Sequence, residues 1–99
     1  MKNNFDTVCI IGLGLIGGSI GLSMKKNNFE SKIIGYAKTE KTLSRAVERG
    51  LVDDTEKNLV KAVNGADLII LATPLSTFKP IIKEIAPFLK KGSIVTDTG

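Results

Sequence analysis

Apolar and polar positions fall in blocks along this chain, and the blocks switch between two periods. Residues 7–11 (TVCII) form a short apolar run rich in β-branched residues, the length and content of a buried strand. Over 15–27 the apolar positions recur at helical spacing, with Ile16, Ile20 and Met24 on one face and Gly17 and Gly21 beside it. Residues 27–31 read as a turn and 32–37 (KIIGYA) as a second strand. Thr39 then offers an N-cap hydroxyl with Glu40 in the first turn, Leu43, Ala46 and Val47 make an apolar stripe, and Gly50 is a stop. Residues 51–54 (LVDD) are expected to form a short third strand. A helix over 57–64 would turn Leu59, Val60 and Val63 inward and end at Gly65. Asp67 precedes Leu68-Ile69-Ile70-Leu71-Ala72, a continuous apolar run of the kind found in strands buried on both faces, and Thr73-Pro74 stops it. The next helix spans about 77–89, with Phe78, Ile81, Ile82, Ile85 and Leu89 on one face. Pro80 fits only in its first turn and Pro87 should distort its last. Gly92 breaks the chain, and Ile94-Val95-Thr96 leads to Asp97-Thr98-Gly99. Residues 1–6 read as a polar leader, and no repeat, low-complexity tract or linker is visible.

Strands that alternate with helices imply right-handed crossovers and a parallel sheet. The expected fold is α/β, a doubly wound parallel sheet of about five strands in the order 3-2-1-4-5. In that order the first and fourth strands are neighbours, and ligands bind at their carboxyl ends, where the winding reverses. Thr73-Pro74 and Thr98-Gly99 then share a rim with the turn that follows the first strand.

That turn is Gly12-Leu13-Gly14-Leu15-Ile16-Gly17, a G-x-G-x-x-G motif between a predicted strand and a predicted helix. Each glycine has a mechanical task in that setting. Gly12 permits the tight turn, Gly14 lets a pyrophosphate approach the backbone, and Gly17 lets the helix pack closely on the strand. The helix start adds unpaired N–H groups and a partial positive charge. The motif alone is weak; its strand, its helix and a second strand at the right distance make this a Rossmann-type dinucleotide site. The uncharged run 8–24 also resembles a short membrane span or a signal-peptide core. It is shorter than the ~20 residues a span needs, holds five glycines, follows Asp6 and has no A-x-A cleavage site. No membrane role is expected.

Composition narrows the chemistry. The 99 residues are 42% hydrophobic and 24% charged, enough for one small domain with a core. The net charge of +4 is scattered, without a basic block interleaved with aromatics, so no nucleic-acid partner is expected, and a mild basic excess suits phosphates and anionic substrates. With no histidine and one cysteine, His-based catalysis, a disulfide and a Cys or His metal site are ruled out within these residues. Cys9, inside the first strand, reads as buried, reduced and structural, in keeping with a cytoplasmic protein.

In the NAD version of this fold an Asp or Glu ends the second strand and holds the ribose 2′-hydroxyl. Here the place belongs to Ala37, followed by Lys38, which could neutralise a 2′-phosphate, and Thr39, which could hydrogen-bond to it. The expectation is that NADP is accepted at least as well as NAD. The plain alternatives are a solvated lysine and a threonine that only caps a helix.

Taken together, Gly12-Leu13-Gly14-Leu15-Ile16-Gly17-Gly18-Ser19, Ile34-Gly35-Tyr36-Ala37, Gly50-Leu51-Val52-Asp53, the segment Ala66-Asp67-Leu68-Ile69-Ile70-Leu71-Ala72-Thr73-Pro74 and the terminal Ile94-Val95-Thr96-Asp97-Thr98-Gly99 resemble the N-terminal cofactor domain of prephenate/arogenate (cyclohexadienyl) dehydrogenases. The resemblance covers nearly the whole chain. It implies NAD(P) as cofactor and prephenate or arogenate as substrate. The implied chemistry is hydride transfer from C4 of the cyclohexadienol ring to C4 of the nicotinamide, with loss of the ring carboxylate as CO₂ driven by aromatisation. It implies cofactor contacts at Gly12, Leu13, Gly14, Leu15, Ile16 and Gly17, at the corner Ala37, Lys38 and Thr39, and at Ala72, Thr73 and Pro74. It implies no catalytic residue here: the family's substrate-contacting Ser, proton-accepting His and carboxylate-binding Arg follow the position matching Gly99, and a helical domain then completes the site and a homodimer. The chain is therefore expected to be an inactive fragment, cut before the rest of the enzyme. Its last strand, left as an unpaired edge, should promote self-association. Two alternatives stay open: another reductase of small acids or imines (pyrroline-carboxylate or β-hydroxyacid type), and a non-enzymatic dinucleotide-sensing module, against which Ala37 argues.

Overall fold

A computed structural model describes residues 6–26 and 31–97, without the side chains of residues 15–17. Residues 1–5 of the expected leader, residues 27–30 of the expected turn, Thr98 and Gly99 lie outside it. The elements run β1 (Thr7–Ile11), α1 (Leu15–Lys26), β2 (Lys32–Tyr36), α2 (Glu40–Glu48), β3 (Asp54–Glu56), α3 (Leu59–Val63), β4 (Leu68–Leu71), α4 (Phe78–Ile85) and β5 (Ile94–Asp97). The five strands form one parallel sheet in the order β3-β2-β1-β4-β5, as the alternation predicts.

The central strand shows why this sheet needs helices on both sides. Val8 and Ile10 point into one apolar cluster, with Leu13, Met24, Leu43 and Ala46 from the side of α1 and α2. Cys9 and Ile11 point into the other, with Leu59, Val63 and Ile85 from α3 and α4. All four β1 side chains are fully buried, and each large one removed from water stabilises the fold by about 1.5–3 kcal/mol.

Local chemistry sets the helix ends. The Thr39 hydroxyl accepts from the Thr42 N–H at 3.3 Å at the start of α2. At its other end Gly50 adopts φ +67, its N–H donates to the Val47 carbonyl, and the Leu51 N–H reaches back to Ala46 at 2.9 Å. Asn58 Oδ1 caps α3 through the Lys61 N–H at 3.0 Å. Pro80 falls in the first turn of α4, and beyond Ile85 the chain tightens into a 3-10 turn over Ala86–Phe88 at Pro87, as expected.

The structure differs from the sequence reading in four places. The third strand is Asp54–Glu56 rather than 51–54, because Leu51 and Val52 pack into the α1–α2 cluster and Asp53 is bound to β2. Val47 is 53% exposed, since α2 lies at the short β3 edge of the sheet and turns Leu43 and Ala46 inward instead. Helix α3 starts at Leu59, with Ala62 taking the buried place expected of Val60. Ile82 is 42% exposed because Phe78, Ile81 and Ile85 form the inward line of α4, and Ile82 lies one step round from it.

Two aspartates staple the amino end of the sheet. Asp67 Oδ2 accepts the backbone N–H groups of Asp6 and Thr7, both at 2.9 Å, and Oδ1 pairs with the Lys90 ammonium. Asp53 Oδ2 accepts the Ile33 N–H at 2.8 Å while Oδ1 pairs with Lys25 at the end of α1. The Lys90 hydrogen bond, then the Thr7 N–H, hold the Asp67 carboxyl below the ordinary carboxylate range. Burial pushes Asp53 the other way, but the hydrogen bonds from Lys25 and Ile33 and the charges of Lys25 and Lys32 together outweigh it, and Asp53 too lies low.

Candidate functional site

The opposite, carboxyl end of the sheet is built around the turn after β1. Gly12 adopts φ +99, and a Cβ there would lie 2.7 Å from Thr73 Cγ2 and 3.1 Å from the Ala72 carbonyl oxygen. Both the backbone conformation and the approach of the chain after β4 therefore require glycine. The Gly12 N–H donates to the Tyr36 carbonyl at 2.9 Å and the Ala72 N–H to the Ile11 carbonyl at 2.9 Å, so β2 and β4 are fixed to β1 up to the rim. Leu13 turns its side chain into the core over Gly35, which leaves only its backbone for a ligand.

Gly14 is different. Its φ is ordinary, it is exposed, and a Cβ added to it would meet nothing within 4 Å. Among the described residues, no packing contact calls for glycine at this position. The first bond of α1 runs from the Gly18 N–H to the Gly14 carbonyl at 2.9 Å, so the unpaired N–H groups of the first helical turn open beside it. The close packing expected of Gly17 lies outside the described side chains; at Gly21, further along α1, a Cβ would fall 2.3 Å from the Leu51 carbonyl oxygen.

A cleft of about 450 Å³ lies on one side of the turn. Gly12, Ala37 and Lys38 form its near wall, and Thr73, Pro74 and Thr77 rise from the segment after β4. Pro80, Ile81 and Glu84 of α4, with Leu59 and Tyr36, complete a largely apolar lining. The Thr77 hydroxyl donates to the Pro74 carbonyl at 2.6 Å and shares a 2.7 Å hydrogen bond with the Thr73 hydroxyl, which fixes that wall. Burial, and then the charge of Glu84, raise the Tyr36 hydroxyl above its ordinary value, so it is a neutral hydrogen-bonding group at physiological pH. On the other side of the turn, Gly14, Gly18, Ser19, Arg45 and Arg49 border a groove of about 430 Å³ between α1 and α2. The glycine turn is the ridge between cleft and groove. Among the described residues no group of three Asp, Glu, Cys or His side chains could hold a metal, and no helix is long and apolar enough to cross a membrane.

Of the positions singled out in the sequence, the structure brings Gly12, Ala37, Lys38, Thr73 and Pro74 together in the cleft, with Gly14 next to it. Ala72 stands behind Gly12. Leu15, Ile16 and Gly17 supply the first turn of α1. Thr39 is not in the cleft wall; its hydroxyl caps α2 and donates to Thr42 Oγ1 at 2.8 Å. The sequence reading missed Tyr36, Leu59, Thr77, Pro80, Ile81 and Glu84. One signal was available for them: a helix that begins just after the fourth strand must present its first turns to the same rim as the glycines.

The family model "Prephenate dehydrogenase, nucleotide-binding domain" matches residues 20–99. The prephenate dehydrogenase of Lactococcus lactis subsp. cremoris is 45% identical over 93 residues, which are 93% of this chain and 26% of that protein. The crystal structure of Aquifex aeolicus prephenate dehydrogenase in complex with hydroxyphenyl propionate and NAD+ superimposes with a TM-score of 0.91 at 29% identity, over 100% of this chain and 35% of that one. Synechocystis arogenate dehydrogenase gives a TM-score of 0.85 at 32% identity, over 94% of this chain and 32% of that one. The chain thus spans about a quarter to a third of the length of these relatives. The glycine turn at 12–17 precedes the residues matched by the family model, so its reading rests on geometry.

Proposed function

Since the chain belongs to the prephenate dehydrogenase family, as its nucleotide-binding domain, we propose that it is the cofactor-holding part of an oxidoreductase that oxidatively decarboxylates prephenate or arogenate. The observation that carries the cofactor reading is Gly14. Its lack of a side chain serves no contact within the protein, yet it sits where the carboxyl end of β1 meets the first N–H groups of α1. A pyrophosphate against that backbone explains both features. In this reading Gly12, Leu13, Gly14, Leu15, Ile16 and Gly17 hold the pyrophosphate through their backbone. The apolar cleft of Tyr36, Pro74, Pro80 and Ile81 takes the adenosine end, near Ala37 and Lys38.

Bound NAD(P)+ supplies the hydride acceptor. This chain's residues bind and orient it; they include no histidine, and in this reading the group that takes the substrate's hydroxyl proton belongs to other residues of a homodimeric enzyme. Cys9, buried and with its thiol pushed up to about 12 by burial, suits the reducing cytoplasm, where this biosynthesis would take place. The test is to supply the full-length protein with prephenate or arogenate and NAD+ or NADP+, and to follow reduced-nicotinamide absorbance. Reduction is expected with at least one pair, and none from the 99-residue chain alone. Folded full-length protein that binds dinucleotide but reduces it with neither substrate would overturn the substrate assignment.

A further inference from the structure

We propose that Lys38 makes this cleft accept a phosphate on the adenosine 2′-position, so that NADP+ binds at least as tightly as NAD+. The proposal rests on the dinucleotide reading above and adds a specificity to it. An NAD-type site places a carboxylate at the end of β2 to accept from the ribose 2′-hydroxyl, and that carboxylate repels a 2′-phosphate. Here the position is Ala37, 8% exposed, with its methyl packed in the cluster that holds Leu43 and Ala46.

Among the described residues, no nearby carboxylate takes the missing one's place at the end of β2. Glu56, opposite Tyr36 on β3, turns Oε1 back to the N–H groups of Lys57 and Asn58, both at 3.1 Å. Glu40 is paired with the Lys57 ammonium at 3.2 Å. Glu84 belongs to α4, on the wall facing Tyr36 rather than at the end of β2.

Lys38 is exposed and borders the cleft, and like most of the described lysines and arginines it forms no ion pair among the described residues, so its ammonium is available to a ligand there. A phosphate monoester carries about −1.5 to −2 charge near neutral pH, so an unpaired ammonium beside the ribose favours the phosphorylated form. Thr39 does not share this role, because its hydroxyl already caps α2 and bonds Thr42. The discrimination therefore falls on the ammonium of Lys38, the one cationic side chain among the residues that line the cleft.

The experiment is calorimetric titration of the full chain with NAD+ and with NADP+, at low and at raised salt, for the unaltered protein, K38A and K38R. NADP+ should bind at least as tightly as NAD+, with the steeper loss in salt. K38A should shift the affinity ratio toward NAD+ by about tenfold, the scale of one charge-assisted hydrogen bond, and K38R should retain the ratio. Tighter binding of NAD+ than of NADP+ by the unaltered protein would overturn the specificity and leave the cofactor reading standing. An unmoved ratio in K38A would overturn the role of Lys38. Binding of neither dinucleotide would overturn both readings together.

Discussion

The two ends of this one sheet put their polar groups to opposite uses. At the amino end, Asp53 and Asp67 each accept strand N–H groups and each pair with a lysine, so all four oxygens of these two carboxylates have a partner within the protein. At the carboxyl end, Gly14 answers to nothing within 4 Å and Lys38 has no ion pair among the described residues. An end whose groups are satisfied internally serves stability. An end whose groups lack internal partners is shaped for something that is not part of the chain. Gly12 belongs to both, since its turn is required by the protein's own contact with Thr73 and opens the cleft as well.

The largest expected effect comes from Gly14→Val. A Cβ there meets nothing within 4 Å, so thermal stability should fall by no more than about 1 kcal/mol, the scale of a poorer residue at a helix N-cap. Dinucleotide affinity should fall by at least about a hundredfold, because the isopropyl group occupies the pyrophosphate's place and separates it from the helix N–H groups. Calorimetric titration beside a thermal melt checks both halves. A large loss of stability with affinity kept would reverse the division between the two ends.

Asp67→Ala is the opposite probe. It leaves the Asp6 and Thr7 N–H groups and the Lys90 ammonium without their acceptor, and the melting temperature should fall by several degrees while dinucleotide affinity of the folded protein stays the same. The same staple predicts an acid limit. Asp67 and Asp53 have folded values below the ordinary aspartate value, so the stability they contribute is fully present above that value and is lost as pH falls through the lower, folded one. Melts taken from about pH 7 down to about pH 2 should show this loss below about pH 4, where aspartates begin to protonate. Asp67→Ala should flatten that part of the curve.

The same contrast explains what could be read in the sequence. The carboxyl end was legible because its chemistry is local: G-x-G-x-x-G, Ala37 with Lys38, and Thr73-Pro74 are each contiguous, and the alternation of strands and helices places them on one rim. The staples were not legible. Asp67 lies 60 residues from Thr7 and 23 from Lys90, and an aspartate before an apolar strand reads like any solvated turn residue until the strand order is known. For the same reason 51–54 read as a strand: Leu51 is apolar because it packs on α1 and Val52 because it packs over Gly35 of β2, and neither partner is local in sequence. Lys38 and Thr39 looked equivalent in sequence, and only the hydrogen bonds to Thr42 separate the cleft residue from the helix cap.

The smallest effect, and the one that joins the two ends, is read at Cys9. It sits at the middle of the central strand, fully buried, with its thiol raised to about 12 by burial, so the native protein should hold almost no thiolate at neutral pH and react with iodoacetamide only when the sheet opens. Its labelling rate therefore reports opening of the strand between the rims. Gly14→Val should leave that rate unchanged even though its ligand site is lost. Asp67→Ala should raise it, because the Asp67 carboxylate holds the N–H of Thr7, two residues from Cys9 on the same strand. If Gly14→Val accelerated labelling as much as Asp67→Ala, the carboxyl end would be stabilising the sheet after all, and the glycine there would need an explanation from folding rather than from a ligand.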